Sequence, residues 1–148
     1  MDSIITPCLE EADRERLNAP FSLEEFQNEL ATFPNSKAPG NDGLPIELYK
    51  KFSGVLLPEL LHTLEDAFEL GALPRSMYEA VVVVILKPGK DPEKNDSYRP
   101  ISLLNTDLKI LTKVIAMRLS AVIPVLVHPD QSGFIPDRST ANNLRRLS

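Results

Sequence analysis

Residues 80–105 read AVVVVILKPGKDPEKNDSYRPISLLN, and no other stretch limits the fold as much. It opens with Val81, Val82, Val83, Val84 and Ile85, a run of residues branched at Cβ. Branching there restricts the side chain in a helix and suits a pleated strand. Lys87-Pro88-Gly89-Lys90-Asp91-Pro92 then forces a turn, and a second β-prone run follows over residues 99–103. The pattern predicts an antiparallel hairpin of residues 81–86 with 99–103, leaving 87–97 as a mobile exposed loop. Because residues 81–86 are apolar at every position, they are expected to be covered on both faces, by helices on one side and by a subdomain missing from this chain on the other.

Helical signals surround this hairpin. Ser22-Leu23-Glu24-Glu25 fits a capping box, with Leu23, Phe26, Leu30 and Phe33 at helical spacing and Pro34 as the stop. Residues 35–44 are a loop by composition, with turn signals at Pro39-Gly40 and Asp42-Gly43. A second helix is expected over 45–52, weakened at Ser53-Gly54 and restarted by Pro58, with Leu60, Leu61, Leu64 and Phe68 as its stripe and Gly71 as its cap. Residues 106–125 read as the longest helix. Ile110, Leu111, Val114, Ile115, Leu119, Val122 and Ile123 face a core there, Lys109, Lys113 and Arg118 lie on another face, and Pro124 tightens or ends the helix. Beyond His128, Pro, Gly and Ser dominate until a final helix near Thr140. The expected fold is α+β and helix-rich, with one antiparallel hairpin. Residues 1–20 are expected to be an acidic, disordered arm with one helical turn, and 21–148 a single partial domain.

Charge is distributed unevenly. Residues 1–36 carry two basic and eight acidic side chains, whereas residues 80–148 carry ten basic and six acidic. A chain of net charge −5 can still hold a polyanion through a local cationic patch, since screening limits the field to about 8–10 Å. Lys87, Lys90 and Arg99 form one such group, because guanidinium grips phosphate through two N–H bonds and ammonium acts as a point charge. The bland alternative is that these side chains are simply solvated. With one cysteine, Cys8, no internal disulfide is possible, and no apolar run reaches membrane-spanning length. These features imply an intracellular protein without a membrane partner. His62 and His128 have no ligand companions nearby in sequence, so no metal site is expected.

LKPGKDP and SYRPISLLN together resemble the first motifs of reverse transcriptases from non-LTR, LINE-type retrotransposons. Lys37-Ala38-Pro39-Gly40-Asn41-Asp42-Gly43-Leu44 precedes them, Thr106-Asp107-Leu108-Lys109-Ile110-Leu111 follows, and His128-Pro129-Asp130-Gln131-Ser132-Gly133-Phe134-Ile135-Pro136 with Arg138-Ser139 comes last, all in family order. The resemblance spans residues 21–146. It departs from the family at Asn41 and Leu86, where proline is usual, and at Asp137, where glycine is usual.

What the resemblance implies is specific. The chain would be the fingers part of a right-hand polymerase, with the palm absent. Lys87, Lys90 and Arg99 would meet the triphosphate of the incoming nucleotide, and Gln131, Gly133 and Arg138 the template. Loop 37–43 would lie near template or nucleotide, or would serve only as a turn between helices. RNA template, DNA primer, Mg²⁺ and dNTP would belong to the complete enzyme, acting in nucleus or cytoplasm. The chain alone would retain weak nucleic-acid binding. The alternatives are a non-catalytic nucleic-acid-binding remnant and a truncated reading frame without activity. The metal-binding aspartates of the family lie in later motifs, and two-metal transfer needs such carboxylates. The chain alone is therefore expected to give no product in a primer-extension assay on poly(rA)/oligo(dT) with Mg²⁺ and dTTP. Extension above a protein-free control would refute that expectation.

Overall fold

A computed structural model describes residues 8–128, 130–133, 135, 138 and 139. It contains six α-helices and two strands among these residues: α1 (Glu11–Asn18), α2 (Leu23–Thr32), α3 (Ile46–Lys51), α4 (Ser53–Leu70), β1 (Ala80–Leu86), β2 (Tyr98–Leu104), α5 (Thr106–Ser120) and α6 (Ile123–Leu126). Residues 21–113 form one compact unit. The described residues before 21 and after 113 form a second.

In the first unit α2, α3 and α4 pack on one another. The capping box forms as expected: Glu25 N–H donates to Ser22 Oγ at 3.3 Å, and Ser22 N–H donates to Glu25 Oε2 at 2.9 Å. Phe26, Leu57 and Ile110 are fully buried, joined by Leu30, Ile46, Leu60, Leu64 and Leu111. Each such side chain contributes about 1.5–3 kcal/mol, so the helices rather than the sheet carry the stability. Phe68, expected in the α4 stripe, instead stacks on Phe21 at 5.9 Å and remains exposed, while Ala67 takes the buried place. Lys50 Nζ in α3 donates to Phe33 O at 2.6 Å and Asn35 Oδ1 at 2.8 Å, closing the turn after α2.

Several boundaries differ from the sequence reading. Where one helical turn was expected before residue 20, α1 makes two. Within the second unit Arg118 Nη2 donates to Pro20 O at 2.8 Å, and its Nη1 donates to Leu17 O and Ala19 O, tying the end of that segment down. Pro58 does not restart a helix but lies inside α4, which runs unbroken to Gly71. The bond that Pro58 cannot make would have gone to Gly54 in the first turn, so one exposed carbonyl is lost and the packed stripe beyond outweighs it. The expected helix over 106–125 stops at Ser120, which leaves α4 longer than α5. The Pro124 ring would clash with the Ser120 carbonyl, so the chain breaks at 121–122 and Pro124 opens α6 instead. Leu119 is consequently 41% exposed rather than in a core, while Val114 and Val122 are buried. The helix expected near Thr140 lies outside the described residues.

The hairpin is antiparallel as predicted, with Ala80 opposite Leu104, Val83 opposite Ile101, Ile85 opposite Arg99 and Leu86 opposite Tyr98. The cover expected from helices on one side is slight. Val82 is 62% and Val84 65% exposed, and only Val83 of β1 is partly buried.

The hairpin's base is anchored by Asn105. Its Nδ2 donates to Ser76 O at 3.2 Å, and its Oδ1 accepts the Asp42 N–H at 3.4 Å, in a setting only 4% exposed. Beside it Thr106 Oγ1 donates to Leu44 O at 2.6 Å. Gly40 sits directly on this residue. A Cβ there would come within 2.2 Å of Asn105 Oδ1 and 2.6 Å of its Cα. Gly40→Ala should therefore cost about 1–3 kcal/mol, the usual range for overpacking, and Asn105→Ala about 1–3 kcal/mol through unpaired buried groups. Urea unfolding midpoints measure both, and wild-type midpoints would show that the anchor does not hold the loop.

Candidate phosphate site

The far end of the hairpin is a series of turns. Lys90 N–H donates to Lys87 O at 3.1 Å across Pro88-Gly89, with Gly89 at φ 71°. Proline followed by positive-φ glycine is a type II turn, and Gly89 is needed for it. Asp91 Oδ1 then accepts Glu93 N–H at 3.0 Å, a 3-10 turn covers Asn95–Ser97, and Tyr98 Oη donates to Pro92 O at 3.0 Å. Segment 87–97 was expected as a mobile exposed loop; it is largely exposed but cross-braced, with Ser97 buried and Lys87 N–H bonded to Ser97 O at 2.8 Å.

Lys87, Lys90 and Arg99 all belong to this end, but they differ in availability. Lys87 Nζ donates to Asp96 O at 2.7 Å and helps close the loop. Arg99 is exposed, and neither its guanidinium nor the Lys90 ammonium has a hydrogen-bonding or ionic partner among the described residues. Most other cations after Ala80 are used internally. Lys94 pairs with Asp91 at 4.0 Å, and Lys109 Nζ donates to Ala38 O at 3.2 Å. Lys113 pairs with Glu29 at 3.8 Å and lies 4.4 Å from the Phe33 ring centre.

Gln131, Gly133 and Arg138 fall in the second unit. Arg138 is spent on carbonyls: Pro124 O and His128 O at 2.7 Å, Gln131 O at 3.1 Å and Val127 O at 3.2 Å. Gln131 Nε2 donates weakly to Gly133 O at 3.4 Å. A Cβ on Gly133 would meet nothing nearer than 3.7 Å, so packing within the chain does not require glycine there. Phe134 and Asp137 lie outside the described residues.

Sequence reasoning passed over the neighbourhood of Asn105. Burial, with Asp42 nearby, pushes the Asp107 carboxyl above its ordinary range, although the Leu108 N–H opposes the shift. Burial with the same two carboxylates pushes the Tyr49 phenol up to about 12. A pocket of about 220 Å³ opens close by, with Phe33, Pro34, Ala38 and Ile46 as apolar walls and Lys37 and Lys109 beside them. The Asp-Gly turn after Gly40 was the only local hint of this junction. Among the described residues no group of three or more His, Cys, Asp or Glu side chains could hold a metal ion. Asp42 and Asp107 are two carboxylates without a third, so no metal-dependent step is assigned to them. No described helix is long and apolar enough to cross a membrane.

Asp107 generates a pH signature. A carboxyl with a raised folded pKa binds more protons in the folded than in the unfolded state across the window above its ordinary value. Its contribution therefore favours folding at low pH and declines as pH rises through that window. Asp107→Asn should gain stability relative to wild type as pH increases from about 3 to 7, read from paired urea midpoints. A pH-independent difference, or one of opposite sign, would count against the buried carboxyl.

The family described as reverse transcriptase (RNA-dependent DNA polymerase) matches residues 85–148. The "Transposon TX1 uncharacterized 149 kDa protein" of Xenopus laevis is 40% identical over 138 residues, covering 93% of this chain and 10% of that protein. The "RNA-directed DNA polymerase from mobile element jockey" of Drosophila melanogaster is 33% identical over 128 residues, 85% of this chain and 14% of that protein. The "Probable RNA-directed DNA polymerase from transposon BS" of Drosophila melanogaster is 30% identical over 131 residues, again 14% of its length. The chain thus spans only 10% to 14% of these relatives. With its YRPISLLN strand matched by the family and similarity to mobile-element polymerases extending upstream of it, the chain belongs to the reverse transcriptase family, as a fragment of that domain.

Proposed function

We propose that this chain is the fingers portion of an RNA-directed DNA polymerase of a LINE-type retrotransposon, and that its hairpin tip binds phosphate. The observation that carries this reading is the contrast among the cations: Arg99 and Lys90 remain open at the tip, while the other described basic side chains after Ala80 engage the protein itself. Arg99 supplies a planar two-pronged donor on a strand, and Lys90 a flexible charge on a rigid turn. Together they suit the oxygens of a triphosphate or a nucleic-acid backbone. RNA template, DNA primer, Mg²⁺ and dNTP are partners of the complete polymerase in this reading, which also leaves the chain alone a weak nucleic-acid binder.

Gln131 and Gly133 remain candidates to lie along the template. Arg138 acts there indirectly, since four carbonyl contacts make it a brace for the loop that carries them. Fluorescence anisotropy of a labelled RNA–DNA hybrid across a salt series tests the assignment. With three or four phosphate contacts, log K should fall against log[salt] with a slope of about −2 to −4. Arg99→Ala should make that slope shallower by about one unit and weaken all sequences similarly. Arg138→Ala should lower thermal stability before it alters the slope. A salt-independent signal, or an Arg99→Ala variant identical to wild type, would remove phosphate binding from the tip.

A further inference from the structure

Asp42-Gly43 is the chain's single Asp-Gly pair, and no Asn-Gly pair accompanies it. In such a pair the main chain can attack its own side-chain carboxyl, because glycine has no Cβ to crowd the attacking nitrogen. Both residues are exposed, Gly43 stands at φ 70°, and a Cβ built on it would meet nothing within 4 Å. Asp42 Oδ1 accepts the Leu44 N–H at 3.0 Å. The ring closed by that bond includes the Gly43 nitrogen, so the carboxyl is folded back toward its attacker. The Gly43 N–H donates to Gly40 O at 3.3 Å, longer than an ordinary bond.

We infer that Asp42 is a site of spontaneous isomerisation to isoaspartate, and that this modification unfastens loop 37–44 from Asn105. The Gly43 nitrogen bonds to Asp42 Cγ, and its proton leaves with the carboxyl hydroxyl as water, giving a succinimide. Water then opens that ring. Addition at Cγ restores aspartate. Addition at the main-chain carbonyl leaves the chain running through Cβ, with the former main-chain carboxyl as the new side group. The product carries one more methylene in its main chain. That extra length falls between two fixed points, the Asp42 N–H held by Asn105 Oδ1 at 3.4 Å and Leu44 O held by Thr106 Oγ1 at 2.6 Å. It also removes the carboxyl that Leu44 N–H bonds, so the two points no longer fit one loop. The anchor restrains the reaction in turn, because ring closure must turn the main chain at Asp42 while its N–H is held. The inference is independent of phosphate binding at the tip.

The test is incubation of the full 148-residue chain at neutral pH and physiological temperature, followed by peptide mapping. Isoaspartate is read by methyl transfer from S-adenosylmethionine with an isoaspartate-specific carboxyl methyltransferase. The peptide containing Asp42 should accumulate methyl-accepting isoaspartate without a change of mass, which separates it from deamidation at Asn35 or Asn41. Asp42→Glu should accumulate none there, because glutamate would have to close a larger ring. Asn105→Ala should accelerate the reaction about fivefold, the equivalent of one net hydrogen bond. If that variant fails to fold, wild-type chain unfolded in urea replaces it and should outpace the native chain by at least as much. The isomerised fraction, isolated by chromatography, should unfold at lower urea concentration and exchange its Leu44 amide hydrogen faster. A native chain that forms no isoaspartate at residue 42, while the unfolded chain does, would overturn the proposal. Equal rates in native, unfolded and Asn105→Ala chains would remove the anchor's restraint. An isomerised chain with the wild-type urea midpoint would refute the release of the loop.

Discussion

The close approach of Gly40 to Asn105 determines how the first unit is put together. Asn105 ends the second strand, and its carbonyl accepts the Lys109 N–H at 3.1 Å, beginning α5. Its side chain is pulled sideways to the Asp42 amide and the Ser76 carbonyl. One buried amide thus joins a strand, a helix and two loops distant in sequence. A buried amide left without partners costs about 1–3 kcal/mol, so the loop cannot detach without penalty. Loop 37–44 is held by its own turn, Gly43 N–H to Gly40 O at 3.3 Å and Leu44 N–H to Asp42 Oδ1 at 3.0 Å, and by side chains from Asn105, Thr106 and Lys109. It follows that the hairpin is anchored at its base and projects its turn freely.

That polarity leaves the tip as the exposed end. Residues 87–97 carry successive turns that brace one another, so the backbone under Lys90 and Arg99 is set without a helix or a third strand behind it. Charge composition alone placed an excess of basic side chains, ten against six acidic, in residues 80–148. The structure narrows it, because carbonyls at helix ends and loop corners need donors, and Arg118 and Arg138 supply them. A guanidinium bonded to several carbonyls retains its charge but has few N–H groups left to grip a phosphate. Usable charge is therefore more local than formal charge.

The exposed strand shows the converse. Five β-branched residues in a row ordinarily signal a strand buried on both sides. Here they specify the strand but not what covers it, and the helices of the first unit pack on each other instead. Their burial is satisfied by Phe26, Leu57, Leu64 and Ile110, while Val82 and Val84 stay exposed.

Local chemistry by itself determined the hairpin, the capping box at Ser22, the end of α4 at Gly71 and the family, because each depends on residues adjacent or a few positions apart. Only tertiary structure decided whether Pro58 would interrupt a helix and whether Pro124 would end one. The first loses a single bond beneath a well-packed stripe, and the second meets a carbonyl where little packing compensates. Tertiary structure alone also decided which cations remain open, since an arginine reads the same in sequence whether its partner is phosphate or a carbonyl fourteen residues away. Asn105 was legible only as the end of a strand. Its role arises from Gly40, Asp42 and Ser76, which the fold brings together and no local pattern connects.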